Sequence, residues 1–77
     1  MVWLAAAVLT DHALKQLARR RLAENDVRMV LAEPDTVESV RVGRVVAQKV
    51  FHHGVRGRNY FLRVFVDVDR VPPEIVT

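Results

Sequence analysis

Three histidines and twelve lysines and arginines are the groups in this 77-residue chain that could move protons or hold anions, and no cysteine accompanies them. Metal-free cleavage of RNA is the one reaction such an inventory permits. A 2′-hydroxyl attacking its neighbouring phosphate needs a base for its proton, an acid for the leaving 5′-oxygen and cations for the charge that develops on phosphorus. His12 is the best acid or base by type, Arg20 follows two turns later on roughly the same side, and Arg44, Arg58 and Arg63 from the second half of the chain are phosphate binders. Phe61 and Phe65 flank Arg63 at alternate positions. Aromatic rings interleaved with a cation suit stacked bases beside their phosphates.

Other chemistries find less support. His52 and His53 are adjacent, so on a strand they point to opposite faces and do not share an ion; no metal and no cofactor is expected. Ser39 is the lone serine and lacks the glycines of a nucleophile elbow. The carboxylates from Glu24 to Glu38 read as charges at helix ends, and no glycine-rich phosphate loop precedes a helix.

The elements that position these groups follow from periodicity. Thr10 and Asp11 precede an apolar stripe at Ala13, Leu14, Leu17, Ala18 and Leu22, which predicts a helix from about Asp11 to Arg21 with a threonine cap. Val27, Val30 and Leu31 recur at i, i+3, i+4 and predict a second helix from about Glu24 to Ala32, closed by Pro34. Beyond it, β-branched residues are dense over Thr36 to Val42, Val45 to Phe51 and Tyr60 to Val68, and Ile75-Val76-Thr77 opens another strand. In the clearest of these, Tyr60, Leu62, Val64, Val66 and Val68 form the core side. Phe61, Arg63, Phe65 and Asp67 take the other, which is either partly covered or a contact surface. The expected fold is α+β, two N-terminal helices packed on an antiparallel sheet of three to four strands.

A chain of this length buries only about 60% of its unfolded surface, so residues 1–77 make one domain. With 51% apolar and 27% charged residues it has a globular balance. The apolar start, Met1 to Leu9, lacks a preceding basic residue and is about half of a ~20-residue membrane span, so it is expected to be a first strand or an ordered arm, and no membrane partner is expected. The absence of cysteine suits a reducing, cytoplasmic setting. The formal charge is +3, yet Ser39 to Val66 holds six lysines and arginines, two histidines and no acid. If the first helix lies beside the hairpin, with Arg19-Arg20-Arg21 at its end, one end of the molecule is basic and attracts a phosphate polymer.

Thr10-Asp11-His12-Ala13, followed by Arg20, Leu22 and Val27, and later Gly43-Arg44, Leu62-Arg63-Val64 and Ile75-Val76-Thr77, resembles the bacterial domain of unknown function 4258 family from about Leu9 onward. Gln16 and Arg21 stand where that family usually has an arginine and a glycine. The resemblance implies a branch of the ribonuclease-toxin superfamily with RelE-like and BrnT-like folds, neutralised by a paired antitoxin protein. It implies that His12 and Arg20 are the family's histidine and second helix arginine, and Thr77 the threonine of its last strand.

Two functions follow as expectations. The first is a toxin-like domain that binds or cleaves RNA without a metal. The second is a noncatalytic interaction module, whose Phe61/Phe65 face forms a homo-oligomer or takes a partner's segment.

Overall fold

The computed structural model describes residues 2–52 and 59–76. A one-turn helix, α1 (Val2–Ala5), leads into a two-residue strand, β1 (Val8–Leu9). Two longer helices follow, α2 (Asp11–Arg20) and α3 (Glu24–Ala32). The strands β2 (Thr36–Arg41), β3 (Arg44–Phe51), β4 (Tyr60–Asp67) and β5 (Glu74–Val76) complete the chain.

The helices form where the sequence signals them. Thr10 has extended backbone and its hydroxyl accepts from the Ala13 amide at 3.1 Å, satisfying one donor left unpaired at the start of α2. At the other end, Arg21 turns left-handed and Leu22 N–H reaches back to the Leu17 carbonyl at 2.9 Å, which stops the helix. Both central helices bury one stripe, Ala13 and Leu17 on α2 and Val27, Val30 and Leu31 on α3.

The sheet has five strands in the order β1-β5-β4-β3-β2 and is mixed. This corrects the expected three or four antiparallel strands. The extra strand is β1, which pairs parallel with β5 through Val8 opposite Glu74 and Leu9 opposite Ile75. Residues 2–9 are therefore a helical turn and a short strand, where a single strand or an arm was expected. Leu4 and Ala7 are buried in the core, and Arg28 of α3 donates to the Ala7 carbonyl, so the turn after α1 is held from the helix layer.

All three helices lie on one face of the sheet. Their side chains Leu4, Leu17, Val27, Val30 and Leu31 close over Ala47, Val64, Val66 and Ile75, with each buried leucine or valine contributing about 1.5–3 kcal/mol through removal from water. It is α3 that crosses β3 and β4, whereas α2 lies against β1. The expected neighbourhood of the first long helix and the hairpin is thereby corrected. The broader apolar stripe of α3 covers the sheet centre, where Ala47 is small enough to let it approach, and α2 is displaced to the edge. Between β2 and β3 the chain reverses through Val42 and Gly43, and Gly43 has φ +84°, a left-handed conformation that a side chain would strain. No helix among the described residues is long and apolar enough to cross a membrane.

Candidate nucleic-acid interface

Strand register sets which side chains share the face that the helices leave open. Phe61 lies opposite Val50, Arg63 opposite Gln48, Phe65 opposite Val46 and Asp67 opposite Arg44. On the β2 side Thr36 continues the Gln48 row, Glu38 the Val46 row and Arg41 the Arg44 row. On the β5 side Val76 extends the Phe65 row and Glu74 the Asp67 row. A register shift between Ser39 and Arg41 keeps Arg41 on this face although it is an odd number of residues from Glu38. Rows on one face of a sheet are about 6.5–7 Å apart, close to the spacing of successive nucleotides in an extended strand.

This face is largely open, with Arg63 exposed and Val46, Gln48 and Phe65 half-buried, while Asp67 is buried at its far end. Phe61 is 59% exposed, and the Arg63 guanidinium stands 5.5 Å from its ring centroid. Arg63 Nε also donates to Gln48 Oε1 at 2.9 Å, which fixes both side chains across β3 and β4. Phe65 is half-buried and lines two depressions. The first, of about 440 Å³, is bounded by Thr36, Glu38, Val46, Gln48, Arg63 and Phe65. The second, of about 400 Å³, is bounded by His12, Arg44, Phe65 and Val76. His12 reaches it because α2 starts directly after β1, and β1 is the neighbour of β5.

The electrostatics of the second depression are set by one ion pair. Arg44 Nε donates to Asp67 Oδ1 at 2.7 Å and its Nη2 to Oδ2 at 3.3 Å, a two-pronged contact beneath the surface, with Asp67 only 6% exposed. The hydrogen bond from Arg44, reinforced by its charge and by those of Arg70 and Arg41, holds the Asp67 carboxyl below its ordinary range against the opposing effect of burial. Arg44 is pushed higher by the same contact. A depressed carboxyl adds stability above the unfolded-state value, and that stability is lost as pH falls through the folded value. Asp67→Asn should therefore be less stable than the native chain at pH 7, with the gap closing below about pH 4. Urea melts at a series of pH values check this, and a gap that stays constant down to pH 2 would contradict it.

His12, Arg44 and Phe65 come together, and Arg63 joins them through Phe65. Phe61 lies one row beyond Arg63 on the same face. Arg20 does not join them, since eight residues of α2 separate it from His12 by about 12 Å along the axis. Arg58 and Thr77 lie outside the described residues, as does His53. The basic run of the sequence divides in space: Lys49 is on the helix side and donates to the Glu33 carbonyl at 2.9 Å, and Arg44 is neutralised by Asp67. Among the described residues, the arginine-rich surface expected from the hairpin and the end of the first long helix gives way to an open face that mixes Arg41, Arg44 and Arg63 with Glu38, Asp67 and Glu74. Glu38, Gln48 and Asp67 escaped the sequence reading as site residues because their positions depend on register, which no single strand pattern reveals. Among the described residues no group of three or more histidine or acidic side chains is placed to hold a metal ion.

A family model described as Domain of unknown function (DUF4258) matches residues 9–77. No curated protein matches the chain, and no solved structure does.

Proposed function

The chain belongs to the family described as Domain of unknown function (DUF4258), and from that premise we propose that its open sheet face binds single-stranded RNA, with His12 as the acid/base group of a metal-independent ribonuclease. The biological setting that fits is the toxin half of a toxin–antitoxin pair, with a RelE-like or BrnT-like ancestry. The observation that carries the reading is the convergence of His12, Arg44 and Phe65, distant in sequence, on one depression.

The parts have separate work. Phe61 and Phe65 offer ring faces to two bases, and Arg63, held by Gln48, keeps its terminal nitrogens for a phosphate. Asp67 fixes Arg44 in place before substrate arrives, and the Arg44 donors not engaged by Asp67 point charge at the phosphate oxygens. His12, exposed at the start of α2, takes the proton of a 2′-hydroxyl as that oxygen bonds to phosphorus. The bond from phosphorus to the 5′-oxygen breaks, the leaving oxygen takes a proton from solvent, and a 2′,3′-cyclic phosphate remains.

A second reading rests on the exposed Phe61, the Val46-Phe65-Val76 row and the cancellation of Arg44 by Asp67. Such a face also suits a protein, either an antitoxin segment or a second copy of this chain.

Incubation with an end-labelled single-stranded RNA separates binding from cleavage. The native chain should yield cyclic-phosphate ends, and His12→Ala should retain the RNA while losing cleavage by about 100-fold or more. Undiminished cleavage by His12→Ala would remove His12 from the chemistry, and no retention of RNA at low salt would overturn the RNA reading itself.

A further inference from the structure

The depression formed by β2, β3 and β4 has a donor and acceptor pattern of its own, away from His12. Its floor is apolar, made by Val46 and Phe65, and its walls carry Thr36, Glu38, Gln48 and Arg63. Arg63 Nε donates to Gln48 Oε1, so the Gln48 amide is oriented with its oxygen engaged and its nitrogen available as a donor. The remaining guanidinium nitrogens of Arg63 are donors as well. Glu38, one row along on the edge strand, is exposed, and its carboxylate presents two acceptor oxygens at the rim of the depression. A ligand that fits must be flat enough to lie on Val46 and Phe65, offer two adjacent donors to Glu38 and offer an acceptor to the Gln48 amide nitrogen, while the terminal nitrogens of Arg63 stay with the phosphate.

Among the four RNA bases that description selects one. Guanine carries N1–H and the N2 amino group side by side, with O6 next to them as an acceptor. Adenine has an acceptor at N1, cytosine has acceptors at N3 and O2, and uracil has a single donor at N3 between two acceptors. Each of these would set a lone pair against the Glu38 carboxylate or leave one of its oxygens unmatched, and an unmatched polar group at a binding site is costly. We propose that this depression is a guanine subsite, resting on the RNA reading above. Because Phe65 lines both depressions, the base held here belongs to a nucleotide adjoining the phosphate held beside His12 and Arg44.

The carboxylate makes the inference testable through opposite signs. Toward a phosphate chain Glu38 is repulsive, so its favourable partners in RNA are hydroxyl and base donors, and of these only the base differs among the oligonucleotides compared. Fluorescence anisotropy with a labelled uridine hexanucleotide, and with the same hexanucleotide carrying one guanosine, adenosine or cytidine, reads both effects. The guanosine version should bind the native chain about tenfold more tightly than the other three. Glu38→Gln should bring all four within about twofold of one another while leaving uridine binding equal or tighter, because a negative charge is gone. Inosine in place of guanosine, which lacks the N2 amino group, should lose most of the preference. Equal, salt-sensitive binding of all four hexanucleotides by the native chain would overturn the guanine subsite and leave the RNA reading standing. Failure of every hexanucleotide to bind at low salt would overturn both. Glu38→Gln lies on an exposed edge strand, and an unchanged melting temperature confirms that the comparison concerns the site.

Discussion

Leu31→Ala is expected to remove about 2–5 kcal/mol of folding free energy. Leu31 is fully buried on α3, within a core that spans both layers. A domain of this size has a total stability on the order of 4–12 kcal/mol, so the substitution takes a large share of it and leaves a substantial unfolded population. The effect is large because α3 crosses β3 and β4 at the sheet centre, and a void there has few neighbours free to collapse into it. Met29, two positions earlier on the same helix, is 44% exposed, and Met29→Ala should change stability by less than about 1 kcal/mol. Urea unfolding of the two variants should show a lowered midpoint with unchanged slope for Leu31→Ala alone. Equal midpoints would mean that α3 is not the element that closes the core.

Phe65→Asp should weaken binding of single-stranded RNA by about 100-fold. A stacked base is worth about 1–3 kcal/mol, and the new carboxylate adds repulsion toward phosphate in the middle of the face. The position is the one shared by both depressions, so a strand that occupies both passes over it. Phe65 is only half-buried and lies on the uncovered side, away from the core of Val64 and Val66, so the fold should survive the change. The same variant discriminates the rival reading. Loss of RNA affinity with an unchanged elution volume in size exclusion supports a nucleic-acid face. A native oligomer that dissociates on Phe65→Asp, with RNA affinity unchanged, would support a protein partner instead.

The two long helices were legible in the sequence because their signals are local. Thr10 caps a stripe with a helical period, and Val27, Val30 and Leu31 mark the second helix over the span Glu24–Ala32 that the structure shows. The alternation along β4 likewise separated Val64 and Val66 from Phe61, Arg63 and Phe65. What was not legible depends on partners far away in the chain. A single helical turn at Val2–Ala5 and a two-residue strand at Val8–Leu9 are too short to carry any period, so neither α1 nor the parallel pairing of β1 with β5 could be read. Charge was misleading for a related reason. Lys49 and Arg44 belong to one basic run, yet the five-residue offset along β3 sends them to opposite faces, and Asp67 meets Arg44 only through strand pairing across 23 residues. A run of like charge in a strand sequence is thus not a patch of like charge on a surface. His12 was singled out by residue type and by the family resemblance, and its place beside Arg44 and Phe65 follows from β1 delivering α2 to the β5 side of the sheet.

We propose that the open face of the sheet, rather than the helix layer, takes up single-stranded RNA. Titration of the isotopically labelled domain with a short guanosine-containing RNA, followed by amide chemical shifts, tests it most directly. Changes are expected at Val46, Gln48, Arg63, Phe65, Val76 and His12, weakening together as salt is raised, with Met29 and Arg19 on the helices unmoved. Shifts confined to α2 and α3, or none at low salt, would contradict it.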